Sequence, residues 1–200
     1  MIRILIAEDQ VLVRDALTTL LNFEDDFQVV ANVGNGEDAL RQAVSLRPDV
    51  AILDIEMPGL SGLDVAERLR NELPACKVIL LTTFARSGYL QRAVKAGAHG
   101  YLLKDSQVED LAAAIRNIVG GQRIFSPALM VEAMTEENPL TPREIDVLRC
   151  ARTGVGTREI AKRLALSEGT VRNYLSEAIS KLGCASRQEA VQRAEQKGWL

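Results

Sequence analysis

Two hundred residues, 47% of them hydrophobic and 26% charged, are enough for one or two globular cores and exclude a disordered chain. No apolar run approaches the roughly 20 residues of a membrane span, and the start, MIRILIAEDQ, meets acids too early for a secretory signal, so a cytoplasmic chain with no membrane association is expected. The net charge of −3 conceals a split: 13 basic against 20 acidic residues over 1–137, and 11 against 7 over 138–200, an acidic part suited to a cation and a basic part suited to a polyanion.

Five short apolar runs recur at Ile2–Ala7, Val29–Ala31, Val50–Leu53, Val78–Leu81 and Tyr101–Leu103. Between and after them, apolar residues fall at three-and-four spacing over Val11–Leu21, Ala39–Leu46, Leu63–Leu69, Leu90–Ala96 and Leu111–Val119. Alternating strands and helices, with strands too continuously apolar to be half-exposed, predict an α/β fold with a doubly wound, parallel, five-stranded sheet. The ligand site of such a sheet lies at the carboxyl ends of its strands. Gly120-Gly121 ends the fifth helix, and Ser126-Pro127 reads as the cap and first-turn proline of a short helix over Ala128–Met134. This places a first domain at 1–120, a linker at 121–138 and a second domain at 139–200.

From Pro139 onward no strand pattern appears. Thr141-Pro142-Arg143-Glu144 has capping-box spacing, repeated at Ser186–Glu189, and four helices are expected near 142–152, 158–164, 168–182 and 187–197. Cys76, Cys150 and Cys184 are odd in number, far apart and unaccompanied by histidine pairs, which indicates neither a disulfide framework nor a zinc site.

The strand ends carry the chemistry. Strand one stops at Glu8-Asp9, strand three at Asp54, strand four at Thr82-Thr83 and strand five at Lys104, so these groups converge on one sheet edge. A lone aspartate there ordinarily caps a turn; the set together is a different matter. Three adjacent carboxylates raise one another's pKa unless a cation sits among them, and an oxygen-lined pocket suits Mg²⁺, with Glu8, Asp9 and Asp54 as ligands. Asp54 is then placed as a nucleophile toward phosphorus and Lys104 as the ammonium that neutralises the phosphoryl oxygens. Met57-Pro58-Gly59 forms a tight turn from which the backbone carbonyl of Glu56 can serve the metal. Tyr101 is read with even weight as core or as switch.

AEDQ, ILDIEMPG, LLTTFA and AGAHGYLLKD resemble the phosphorylation site of two-component response-regulator receiver domains, which have a flavodoxin-like fold. The resemblance covers residues 1–120. It implies that Asp9 holds Mg²⁺ with Glu8 beside it, that Asp54 accepts a phosphoryl group from a sensor histidine kinase, that Lys104 binds it, and that Thr82 and Tyr101 relay the change.

In the basic part, Val171, Leu175, Ala178, Ile179 and Leu182 share one face of the third helix, and Arg172, Asn173, Ser176 and Ser180 the other. With the preceding TREIAKRLAL and a short turn at SEGT, this reads as a helix-turn-helix whose second helix enters the major groove of DNA. Residues 139–200 closely resemble the four-helix DNA-binding domain of NarL/FixJ (LuxR-type) regulators. The resemblance implies base contacts from Arg172, Asn173 and Ser176 and phosphate contacts near Thr157, Ser167, Thr170 and Lys181. A finer resemblance, in residues 82–104 and GTVRNY, is to regulators of membrane-lipid desaturation.

The expectation is a transcription regulator, not an enzyme, that binds promoter DNA as a homodimer when Asp54 is phosphorylated, with RNA polymerase a candidate further partner. Two other classes fit part of the pattern. An aspartate-nucleophile phosphatase also needs an acid two residues after the nucleophile, where Glu56 stands, but usually has Asp there and an added substrate cap. A protein-binding scaffold would keep the fold without taking up phosphate.

Overall fold

The computed structural model describes residues 1–83, 86–125 and 138–200, and the chain divides into two compact units. Residues 1–125 run β1 (Ile2–Ala7), α1 (Val11–Asn22), β2 (Phe27–Val33), α2 (Gly36–Leu46), β3 (Val50–Asp54), α3 (Gly62–Glu72), β4 (Lys77–Thr82), α4 (Ser87–Lys95), β5 (Gly100–Leu103), α5 (Val108–Val119) and β6 (Ile124–Phe125), all in the amino-terminal unit but the start of α4. All neighbouring strands pair in parallel, in the order β2-β1-β3-β4-β5-β6. The order reverses at β1, and the crevice between β1 and β3 is where such sheets bind ligands.

Alternation along the strands divides the core between two faces. Ile4, Ile6, Ile52, Ile79 and Leu81 pack with Leu21 of α1 and with Ile115 and Ile118 of α5, while Leu5, Leu53 and Leu80 are equally buried on alternate positions. Side-chain caps start α2 and α3: Asn35 accepts from the Asp38 N–H at 2.8 Å, which carries α2 back to Gly36, and Ser61 and Asp64 form a reciprocal capping box on α3.

The sheet has six strands where five are expected. Ile124 and Phe125, placed in the linker by their sequence, pair with Gly100 and Tyr101 at the edge of β5. A two-residue strand has no alternation to display, so its pairing is set by the returning chain after Gly121, whose φ of 96° turns it back toward the sheet. The expected cap at Ser126-Pro127 and short helix over Ala128–Met134 lie outside the described residues.

The carboxyl-terminal unit comprises α6 (Pro142–Arg152), α7 (Thr157–Leu164), α8 (Glu168–Lys181) and α9 (Arg187–Gln196), within a residue of the expected bounds. Thr141 and Glu144 make the capping box of α6, Ser167 caps α8 and Ser186 caps α9. Val147, Leu148, Ile160, Val171, Leu175, Ala178 and Ala190 fill the core. The turn between α7 and α8 falls earlier than SEGT. Ala165 takes a left-handed conformation, the Leu166 N–H returns to the Ala161 carbonyl at 2.9 Å, and Glu168–Thr170 already form the first turn of α8. An alanine in that backbone region gives no sequence warning, because glycine is its usual occupant.

Candidate functional site

The edge formed by the ends of β1, β3, β4 and β5 gathers the expected residues of the first unit. Glu8 and Asp54 are buried, Asp9 is exposed, and one carboxylate oxygen of each lies within 4.8 Å of those of the other two. Lys104 Nζ sits 2.8 Å from Glu8 Oε2 and 3.0 Å from Asp54 Oδ1. The lysine is aimed there by its backbone, whose N–H donates to the Thr82 carbonyl at 2.8 Å just beyond the end of β5. Thr82 itself is buried at the end of β4. Glu8 is steadied twice: its Oε1 accepts from the Gln10 N–H, and its carbonyl accepts from Arg14.

Burial pushes the Asp54 carboxyl above the usual carboxylate range, partly offset by its hydrogen bond from Lys104. Glu8 is raised by burial too, with the Lys104 hydrogen bond opposing and the Asp54 charge adding to the rise. For Lys104, burial alone would depress the ammonium, but its hydrogen bonds to Glu8 and Asp54 more than reverse this and hold it protonated. Three carboxylates against one ammonium leave a formal charge of about −2 when all are ionised, which a divalent cation cancels. The exposed Asp9 lies on the open side of the cluster, through which a hydrated ion can enter, and the donor set is all oxygen. The residues fit a metal.

The loop after β3 is held from outside the cluster. Gly59 has φ +72°, a conformation that suits glycine, and the Leu60 N–H donates to Glu37 Oε1 at 3.1 Å. Glu56 is exposed, and its backbone N–H bonds the Asp54 carboxylate. Tyr101 is 2% exposed in β5, between Leu80 of β4 and Phe125 of β6. The side chain weighed as core or as switch is thus seated inside the sheet.

In the second unit, Val171, Leu175, Ala178 and Leu182 are buried and Arg172, Asn173, Ser176 and Ser180 are exposed, the two faces the periodicity predicts. Ser167 Oγ accepts from the Thr170 N–H at 3.0 Å and shares a hydrogen bond with the Thr170 hydroxyl at 2.8 Å. Thr157 opens α7 half-buried. Lys181, expected near a phosphate, has its ammonium held within the unit by Glu144.

Residues 4–116 match the response regulator receiver domain, and residues 138–194 match the bacterial regulatory proteins of the luxR family. The chain belongs to the luxR-family response regulators. It is 56% identical over its full length and that of YvfU, an uncharacterized transcriptional regulatory protein of Bacillus subtilis, and 52% identical over both full lengths to the transcriptional regulatory protein DesR of the same organism. Among solved structures, the response regulator ChrA of a heme-sensing two-component system is similar over 100% of this chain and 98% of its own, at 32% identity and a TM-score of 0.58.

Family membership sets aside the phosphatase alternative, since its members are transcriptional regulators. As a response regulator the chain acts with a sensor kinase and binds DNA. Among the described residues no helix is long and apolar enough to cross a membrane.

Two basic residues of this response regulator went unassigned in its sequence. Arg158 and Lys162 are exposed on α7, the first helix of the helix-turn-helix, the one that crosses the DNA backbone in this motif. The signal for them is the basic density of TREIAKRL itself. Arg163, in the same run, is paired to Glu159 at 3.1 Å.

Proposed function

We propose that Asp54 accepts a phosphoryl group from the phosphohistidine of a sensor kinase, in the cytoplasm, and that this drives dimerisation and operator binding. The observation that carries the reading is the seat of Lys104, 3.0 Å from Asp54 Oδ1 among acids that surplus negative charge leaves in need of a divalent cation.

Mg²⁺ bound there, with Glu8, Asp9, Asp54 and the Glu56 carbonyl as its ligands, would neutralise the phosphoryl oxygens during transfer. The protein's own part is preorganisation. β3 presents the Asp54 carboxylate at its end, the Glu56 N–H orients it, and Lys104 follows the developing charge. Once Asp54 carries the phosphoryl group, Lys104 turns from the carboxylate to a phosphoryl oxygen, and Thr82 binds another. That movement pulls the β4 end, and the inward seat of Tyr101 beside β6 is the one that capture of Thr82 stabilises.

The dimer surface has a candidate in α1. Leu12 is 83% exposed and Phe23 77%, and with Ala16 and Leu20 they form a stripe at helical spacing on the solvent side. Dimerisation brings two DNA-binding domains to two half-sites, making the second contact effectively intramolecular. There Arg172, Asn173 and Ser176 face bases, and Thr157, Ser167 and Thr170 lie near phosphates, a place Lys181 reaches only by leaving Glu144. The receiver, carried beyond residue 120 to the end of β6 at Phe125, and residues 139–200 are the two functional domains, and RNA polymerase is a further partner at the promoter.

Incubation with acetyl phosphate and Mg²⁺ should add one phosphate to the chain and none to Asp54→Asn. Light scattering should then show a doubled mass for the wild type alone. Phosphate uptake without change of mass or of affinity for a two-half-site duplex would overturn the coupling.

A further inference from the structure

The outward face of α8 carries a carboxylate, Glu177, that no described residue of its own domain pairs. Residues 138–200 contain seven acids. Five hold a basic partner: Glu144 with Lys181, Asp146 with Arg143, Glu159 with Arg163, Glu189 with Arg193 and Glu195 with Arg152. A sixth, Glu168, stands in the first turn of α8, where the helix dipole favours an anion. Glu177 lies mid-helix, is exposed, and has no ion pair among the described residues. Its natural helical partner is Lys181, four residues on. That ammonium is 2.7 Å from Glu144 instead.

Geometry places this bare charge among the residues read as touching bases. At about 100° per residue, Glu177 is displaced by about 40° from Asn173 and follows it by one turn, on the same exposed face as Ser180. α8 as a whole carries two acids and two bases, and with Lys181 engaged its outward face has only Arg172 to oppose Glu177. A carboxylate brought against the phosphate backbone is repelled by it. In the major groove it has one use that offsets the repulsion, which is to accept a hydrogen bond from a base amine, and the cytosine N4 amine is the donor a lone carboxylate matches.

We infer that Glu177 is a specificity-determining residue that selects a cytosine in each half-site and penalises thymine and guanine there. The inference rests on the reading of α8 as the recognition helix. Discrimination comes from both directions. Cytosine supplies the donor, whereas thymine and guanine turn acceptor oxygens toward the carboxylate and add repulsion.

The test is selection from a randomised duplex DNA pool by the full chain, after incubation with acetyl phosphate and Mg²⁺, comparing wild type with Glu177→Ala, Glu177→Gln and Arg172→Ala. Position 177 is exposed, so alanine there leaves the core intact. The wild type should enrich a motif with cytosine at one position of each half-site. Glu177→Ala should lose that preference by about tenfold, which is about 1.4 kcal/mol, and keep the rest of the motif. Glu177→Gln should move the preference to adenine, whose edge offers both an acceptor and a donor to an amide. Arg172→Ala should relax a different position. If Glu177→Ala and Glu177→Gln return the wild-type motif and merely bind every duplex more tightly, Glu177 is a bare repulsive charge and the inference fails alone. If the wild type enriches no motif, the DNA-reading assignment of α8 falls and takes the inference with it.

Discussion

Lys181 Nζ lies 2.7 Å and 2.9 Å from the two carboxylate oxygens of Glu144, tying the last turn of α8 to the first turn of α6. Glu144 Oε2 also accepts from the Thr141 N–H at 2.7 Å, so one buried side chain both caps its own helix and anchors another. Removing either partner leaves the other with an unmet charge. Glu144→Gln and Lys181→Ala should each destabilise the DNA-binding domain by about 1–3 kcal/mol, and the double mutant should lose less than their sum. Urea unfolding of the four proteins measures the coupling; additive losses would mean that the pair does not act as a unit.

The same pair sets a pH dependence. Burial alone would raise the Glu144 carboxyl, but the hydrogen bonds from Lys181 and Thr141 outweigh it and hold the carboxyl below its ordinary value of 4.5. A carboxyl depressed in the folded state contributes stability that is fully present above its unfolded pKa and lost as pH falls through the folded one. The difference in melting temperature between wild type and Glu144→Gln should thus be widest near pH 7 and shrink below about pH 4.5. A difference that grows in acid would contradict the assignment.

Divalent binding at the receiver edge should stabilise the fold that holds it. At ten times its Kd, Mg²⁺ should add about 1.4 kcal/mol to the amino-terminal unit, seen as a rise in its melting temperature. Asp9→Asn and Asp54→Asn each remove one of the three clustered carboxylates and should weaken this gain. An equal rise in all three proteins would place the ion elsewhere.

Leu12→Asp puts a charge in the middle of the α1 stripe, on a side chain that is 83% exposed and contributes little to the fold. Phosphate uptake at Asp54 should be unchanged while the mass gain on phosphorylation disappears. Retained dimerisation would move the interface off α1.

Non-specific attraction to DNA should come from α7. Arg158→Ala and Lys162→Ala should each flatten the plot of log affinity against log salt by about one unit and weaken all sequences alike. Arg172→Ala should instead lose about 1–3 kcal/mol on the selected operator only.

How much of this was legible follows from the range of each signal. The parallel sheet announced itself because the inner stretches of β1, β3 and β4, Ile4–Ala7, Val50–Leu53 and Val78–Leu81, are buried on both faces and so read as unbroken apolar runs. The convergence of Glu8, Asp9, Asp54, Thr82 and Lys104 followed from topology alone, since parallel strands deliver their ends to one edge. Beyond that reach lay β6, whose two residues carry no period, and Ala165, which adopts a backbone conformation its side chain disfavours. The partner of Lys181 was hidden for another reason. Thirty-seven residues separate it from Glu144, and no helical spacing links them; only the packing of α6 against α8 brings them together.

The short strand β6 also bears on how regulators of this kind can be recombined. Because Ile124 and Phe125 pair with Gly100 and Tyr101, the sheet is not finished at Gly120, the cap that ends α5. A chimera that grafts a foreign output domain directly after Gly120 would strip the outer edge of β5, baring its backbone beside Tyr101 to stray strand pairing. Fusion points after Phe125 keep that edge covered. Grafts made on either side of this boundary should part company in solubility before any difference in signalling is measured.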